Sequence, residues 1–89
     1  MWFKPAIETE LSELLSDLMP LLGQRDFDIA FEFLDHREWG LALDHACCQL
    51  YENDTKILQS QYDRIVKTGR RMRLPESEFQ SLKQLIAST

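Results

Sequence analysis

The strongest constraint on this chain is a run of apolar residues spaced by threes and fours. Ile7, Leu11, Leu14, Leu15, Leu18 and Leu22 fall on one stripe of an α-helix. Pro5 suits the first turn of that helix, where its missing N–H would have no partner anyway. Glu8 and Glu10 lie near the positive end of the helix dipole. The spacing predicts a helix from about Pro5 to Leu18 or a little beyond, broken or kinked at Pro20 and ended by Gly23.

The same spacing returns along the rest of the chain. A second helix is predicted from about Arg25 to Asp35, with Phe27, Ala30, Phe31 and Leu34 inward and Ile29 and Phe33 widening the face. After a tight corner near His36, a third runs from about Arg37 to Tyr51. Trp39, Ala42, Leu43, Ala46 and Leu50 share its inner face, and Leu41 and Cys48 extend the apolar area around its sides. That breadth marks a central helix. Gly40 near its start offers a place for close approach by a neighbour.

Asn53-Asp54-Thr55 is a turn cluster. A fourth helix is predicted from about Ser60 to Met72, with Tyr62, Ile65, Val66, Gly69 and Met72 inward. Gly69 stands where a side chain would face the core, which predicts a crossing element there. Leu74-Pro75 reads as a loop. The last helix is predicted over Glu76–Ala87, started by Pro75 or Ser77, with Phe79, Leu82, Leu85 and Ile86 inward. No segment alternates as a strand would, no internal repeat occurs, and no heptad persists. The fold class is therefore all-α: a compact single-domain bundle of about five short helices over residues 1–89.

At 89 residues the chain is one small domain, which buries roughly 60–65% of the surface its unfolded form exposes. The start of the chain lacks the apolar core of a secretory signal, and no apolar run reaches the ~18 residues of a membrane span. The sequence thus predicts a soluble, cytoplasmic protein that does not engage membrane. Cys47 and Cys48 are adjacent, so on a helix their side chains diverge and a disulfide between them would be strained. Two reduced, largely buried thiols are predicted.

Signatures of catalysis are missing: there is no Gly-rich phosphate loop, metalloprotease motif or nucleophile elbow. His45 and Cys48 share a helix face, but zinc requires four well-placed ligands, and a Cys–His nucleophile requires an orienting group and a cleft. The sequence predicts a non-enzyme with no cofactor and no bound metal.

Charge carries more information. The net charge is −5, but residues 1–54 hold twelve acids against three bases, a net of −9, and residues 55–89 hold seven bases against three acids, a net of +4. Asp28, Glu32 and Asp35, spaced by four and three, form an acidic ridge opposite the apolar face of the second helix. Glu10, Glu13 and Asp17 form another on the first helix. Like charges at this spacing destabilise a helix slightly, so stability alone does not account for them. A negative surface attracts basic proteins and repels nucleic acid. The competing reading is nucleic-acid binding through Arg64, Lys67, Arg70, Arg71 and Arg73. Against it stand a pI near 4.9 and the position of the last three bases at a helix C-terminus, which cations favour. Trp2 and Phe3 belong to no stripe and either cap the core or form a contact patch.

The stretch Phe33-Leu34-Asp35-His36-Arg37-Glu38-Trp39-Gly40-Leu41-Ala42-Leu43-Asp44-His45 resembles the central signature of bacterial toxin-immunity proteins of the MafI type, within the wider immunity families of contact-dependent growth inhibition. There an acidic-aromatic-Gly-aliphatic-Ala pattern opens a helix, as Glu38-Trp39-Gly40-Leu41-Ala42 does here. Gln49-Leu50-Tyr51-Glu52 and the segment Tyr62-Asp63-Arg64-Ile65 with Gly69 and Met72 look similar too, so the likeness covers about residues 27–86. The resemblance implies an all-helical immunity protein that binds a cognate toxin domain in the cytoplasm and blocks it. In many such systems the toxin is a nuclease with a basic cleft. The negative contact surface predicted for this chain is Asp28, Glu32, Asp35, Glu38 and Asp44, with Trp39 as core or as anchor.

Overall fold

The computed structural model describes residues 5–87. Four α-helices follow one another: α1 (Ala6–Leu22), α2 (Gln24–Asp35), α3 (Trp39–Glu52) and α4 (Gln59–Arg71). A 3-10 helix over Glu76–Leu85 closes the chain. Among the described residues there is no strand, and one isolated bridge joins Ile57 to Ile86. Trp2 and Phe3 lie outside the described residues.

The predicted stripes meet in one core. Leu11, Leu14, Leu15, Leu18 and Leu22 of α1 are buried against Ala30 and Leu34 of α2, and against Ala42, Leu43, Ala46 and Leu50 of α3. Ile65 from α4 and Phe79, Leu82 and Leu85 from the 3-10 helix complete it. α3 packs against all the other elements, as its broad apolar face requires. Each fully buried Leu or Ile stabilises by about 1.5–3 kcal/mol relative to exposure, so this cluster is the main driving force for folding.

Several boundaries differ from the sequence reading for identifiable reasons. Pro20 does not end α1, which continues to Leu22. Pro20 lacks the N–H that would bond to the Ser16 carbonyl, but two more residues of helix bring Leu22 into the core. α1 then stops at Gly23, whose φ of 84° only glycine adopts freely. α3 begins at Trp39, not Arg37, because Arg37 belongs to the closure of α2. Arg37 has a left-handed φ of 59°, and the Glu38 N–H donates to the Phe33 carbonyl at 2.9 Å. The same closure recurs twice with no glycine to announce it: Asp54 (φ 50°) after α3 and Arg73 (φ 62°) after α4. The last helix ends at Leu85 instead of Ala87, because the Ala87 N–H turns away to donate to the Ile57 carbonyl at 2.9 Å.

Three packing expectations are corrected. Leu41 is 50% exposed and Cys48 is exposed, so the apolar face of α3 is narrower than its composition. Of the two thiols, Cys47 alone is buried. Gly40 receives no close neighbour: a β-carbon there would meet nothing within 4 Å. The close approach is at Gly69, where the Phe79 ring occupies the space a β-carbon would need.

Candidate functional site

The two acidic ridges have different fates. The ridge on α1 is turned toward α4 and meets its basic face. Arg64 donates to Asp17, and Arg71 donates to Glu10. Glu10, Glu13, Arg64, Lys67 and Arg71 line one cleft between the two helices. A third arginine, Arg70, pairs with Glu76 at the start of the 3-10 helix. The basic cluster is thus drawn into intramolecular pairs at three of its five positions. Lys67 and Arg73 have no acidic partner within salt-bridge distance among the described residues.

The ridge on α2 has no such counterpart. Asp28, Glu32 and Asp35 are all exposed, and none forms an ion pair with a described residue. Asp28 is hydrogen-bonded to a neutral amide: Gln24 Nε2 donates to Asp28 Oδ1 at 2.7 Å. Three uncompensated carboxylates on consecutive turns make a persistent negative potential on this face.

Glu38 and Asp44, also exposed, occupy a different place. They lie on an open groove of about 820 Å³ that runs from the α2–α3 corner to the end of α4. Ile7, Trp39, Gly40, Leu41, Met72 and Leu74 supply most of its apolar lining; Arg37, Arg71, Arg73 and Glu78 stand beside them. The five acids predicted from the sequence are therefore divided between the outer face of α2 and this groove. Trp39 belongs to both of its predicted roles, since it packs against the core and lines the groove. Its indole N–H is buried and finds no acceptor among the described residues.

Asp26 lies outside both acidic ridges. Its Oδ1 lies 3.1 Å from His45 Nε2, linking α2 to α3 in a partly buried position. The Phe33 ring flanks the imidazole, with centroids 6.3 Å apart. The spacing could not reveal this pair, because its members are nineteen residues apart on two helices. His45 is therefore turned toward α2, whereas Cys48 lines a separate cleft with Asp44 and Glu52. Burial, and then the nearby Asp44 carboxylate, push the Cys47 thiol well above its ordinary value of 9.0, and the same causes raise Cys48. A raised thiol holds its proton and is a weak nucleophile. Among the described residues no group of three or more His, Cys, Asp or Glu side chains gathers as a metal site would require. No helix among them is long and apolar enough to cross a membrane.

Comparison with protein-family models, curated proteins and solved structures finds no match to this chain.

Proposed function

We propose that this chain is an immunity protein of the type its central signature resembles: a cytoplasmic, non-enzymatic inhibitor that binds a cognate toxin domain and neutralises it one to one. The observation that carries this reading is the exposed Asp28/Glu32/Asp35 ridge, three carboxylates on consecutive turns with no ion-pair partner among the described residues. A nuclease toxin must present a positive cleft to a polyanionic substrate, and a negative helix face competes for that cleft. Complementary charge also raises association rates toward ~10⁸–10⁹ M⁻¹s⁻¹, which suits a protein that must intercept a toxin before damage accumulates.

The pairing of the α4 arginines supports the same reading from the other side. Arg64, Arg70 and Arg71 each hold an acidic partner, which weakens them as phosphate contacts. The test is co-expression with the toxin encoded beside this chain. Growth restored in proportion to the amount of this protein is the expected result. Cell death despite abundant folded protein defeats the reading for that pair.

A further inference from the structure

α3 is the central helix, yet one strip of it lies in water. Leu41, Asp44, Cys48 and Tyr51 follow one another at three, four and three residues, with Glu52 beside Tyr51, and all five are exposed. Leu41 and Tyr51, at 50% and 48% exposure, are two of the three large apolar side chains that the fold leaves uncovered among the described residues. Single apolar residues scattered over a surface carry no meaning. These two share one strip, about 15 Å apart along the helix, with carboxylates between and beside them. The strip borders a small cleft of about 120 Å³, where Glu78, Ser81 and Leu82 of the 3-10 helix join Asp44, Tyr51 and Glu52 in the lining. Asp44, Glu52 and Glu78 line this cleft, no base does, and none of the three forms an ion pair with a described residue. The two thiols in its wall register that charge. After burial, Cys47 is raised by Asp44, the Cys48 thiol and Glu78, and Cys48 by Asp44 and Glu52; no base is among these groups. The larger groove, which shares Asp44 and Glu78 with the cleft, carries both signs through Arg37, Glu38, Arg71 and Arg73 and so sets no charge on an occupant.

We infer that the Leu41–Tyr51 strip of α3 docks a segment of the partner protein in which a lysine or arginine is flanked by large apolar residues. Charge complementarity selects that occupant. The basic side chain enters the cleft among Asp44, Glu52 and Glu78 and relieves the repulsion of three carboxylates that share one small space. The Tyr51 ring in the cleft lining adds a cation–π contact. The flanking apolar residues cover Leu41 and Tyr51, which otherwise remain in water. A second copy of this chain is the wrong occupant. Two such strips laid antiparallel about Cys48 set Asp44 of one copy against Glu52 of the other. Phosphate surfaces are repelled by the same carboxylates. The inference rests on the immunity reading only for the identity of the partner as a toxin; the chemistry of the segment follows from the strip and its cleft.

The test uses the full chain and synthetic peptides. The probe has lysines in its middle and leucines at both ends. One control replaces the lysines by glutamates, and the other replaces the leucines by serines. Affinity is measured by calorimetry, and docking by the rate at which iodoacetamide alkylates Cys48, which a seated segment covers. The expected result is that the probe binds at least about tenfold more tightly than either control and slows the alkylation by a similar factor. Asp44→Asn with Glu52→Gln and Glu78→Gln, and separately Tyr51→Ala, should each weaken the probe about tenfold. All four side chains are exposed, so the variants should keep the parent's circular dichroism. A probe that fails to bind, a glutamate control that binds as tightly, or Cys48 alkylated at its free rate under saturating probe overturns the inference. So does unchanged probe affinity in the carboxylate variant, or a dimer of this chain that shields Cys48 with no probe present. A toxin complex in which Cys48 still reacts at its free rate overturns the inference and leaves the immunity reading standing. Probe binding with no toxin complex does the reverse.

Discussion

The Phe79 ring lies directly on Gly69. A β-carbon at position 69 would sit far inside van der Waals contact with Cε2 and Cζ of the ring. This contact locks the 3-10 helix against α4 and thereby places Glu78 on the groove and Leu82 in the core. Gly69→Ala should destabilise the protein by about 1–3 kcal/mol, the usual cost of overpacking. Urea denaturation measures it. In Gly69→Ala with Phe79→Leu the smaller side chain makes room, so the two losses should be clearly less than additive. Additive losses would mean that the two residues do not share the contact.

Among the described residues, three helices close on a residue with positive φ that is not glycine: Arg37, Asp54 and Arg73. Asp54 lies outside the groove and is the clean test of the backbone term. Asp54→Gly should raise stability by up to about 1 kcal/mol, the left-handed strain relieved less the added freedom of the unfolded chain. A shift in the denaturation midpoint reads this directly, and a loss of stability would contradict the assignment.

The thiols should behave differently in the native protein. Cys48 is exposed and should be alkylated without unfolding, whereas Cys47 should react only as the protein opens. Burial raises the Cys47 thiol in the folded state above the 9.0 of an ordinary thiol. Folding therefore favours the protonated form: its contribution is complete below about pH 9 and is lost as pH rises further, by at most about 1.4 kcal/mol per pH unit. Cys47→Ala should flatten the alkaline part of the stability curve. Equal slopes for the two proteins would refute the assignment.

Three of the α4 bases, Arg64, Arg70 and Arg71, are engaged with acids of α1 and with Glu76. These pairs are partly exposed, so Arg64→Ala should cost no more than about 1 kcal/mol. The same pairing predicts no salt-dependent gel shift with single- or double-stranded nucleic acid at low ionic strength. A shift abolished by added salt would restore the Arg64–Arg73 cluster as a binding site.

What the sequence made legible was set by periodicity. The stripe Leu11, Leu14, Leu15, Leu18 and Leu22 identifies α1 and its buried face because one helix face repeats at a fixed interval. Gly69 signalled a crossing element for a similar reason: an inward position without a side chain needs a neighbour to fill it. The helix closures at Arg37 and Arg73 were hidden because an arginine gives no local sign of a left-handed backbone. The site was legible only as a list of acids. Which ridge is neutralised depends on α1 lying beside α4, with the Arg71–Glu10 and Arg64–Asp17 partners 61 and 47 residues apart. The Asp26–His45 pair and the separation of Asp44 from the α2 ridge were hidden for the same reason.

The most direct test of the central claim is the affinity of the cognate toxin domain for the variant Asp28→Lys/Glu32→Lys/Asp35→Lys. All three side chains are exposed, so the variant should fold as the parent does, which its circular dichroism and denaturation midpoint will show. The expected result is a loss of affinity of about a hundredfold or more, mostly through slower association, with a weaker dependence on salt than the parent shows. An unchanged affinity in a variant with intact helical structure would contradict the claim that the α2 ridge is the surface presented to the toxin.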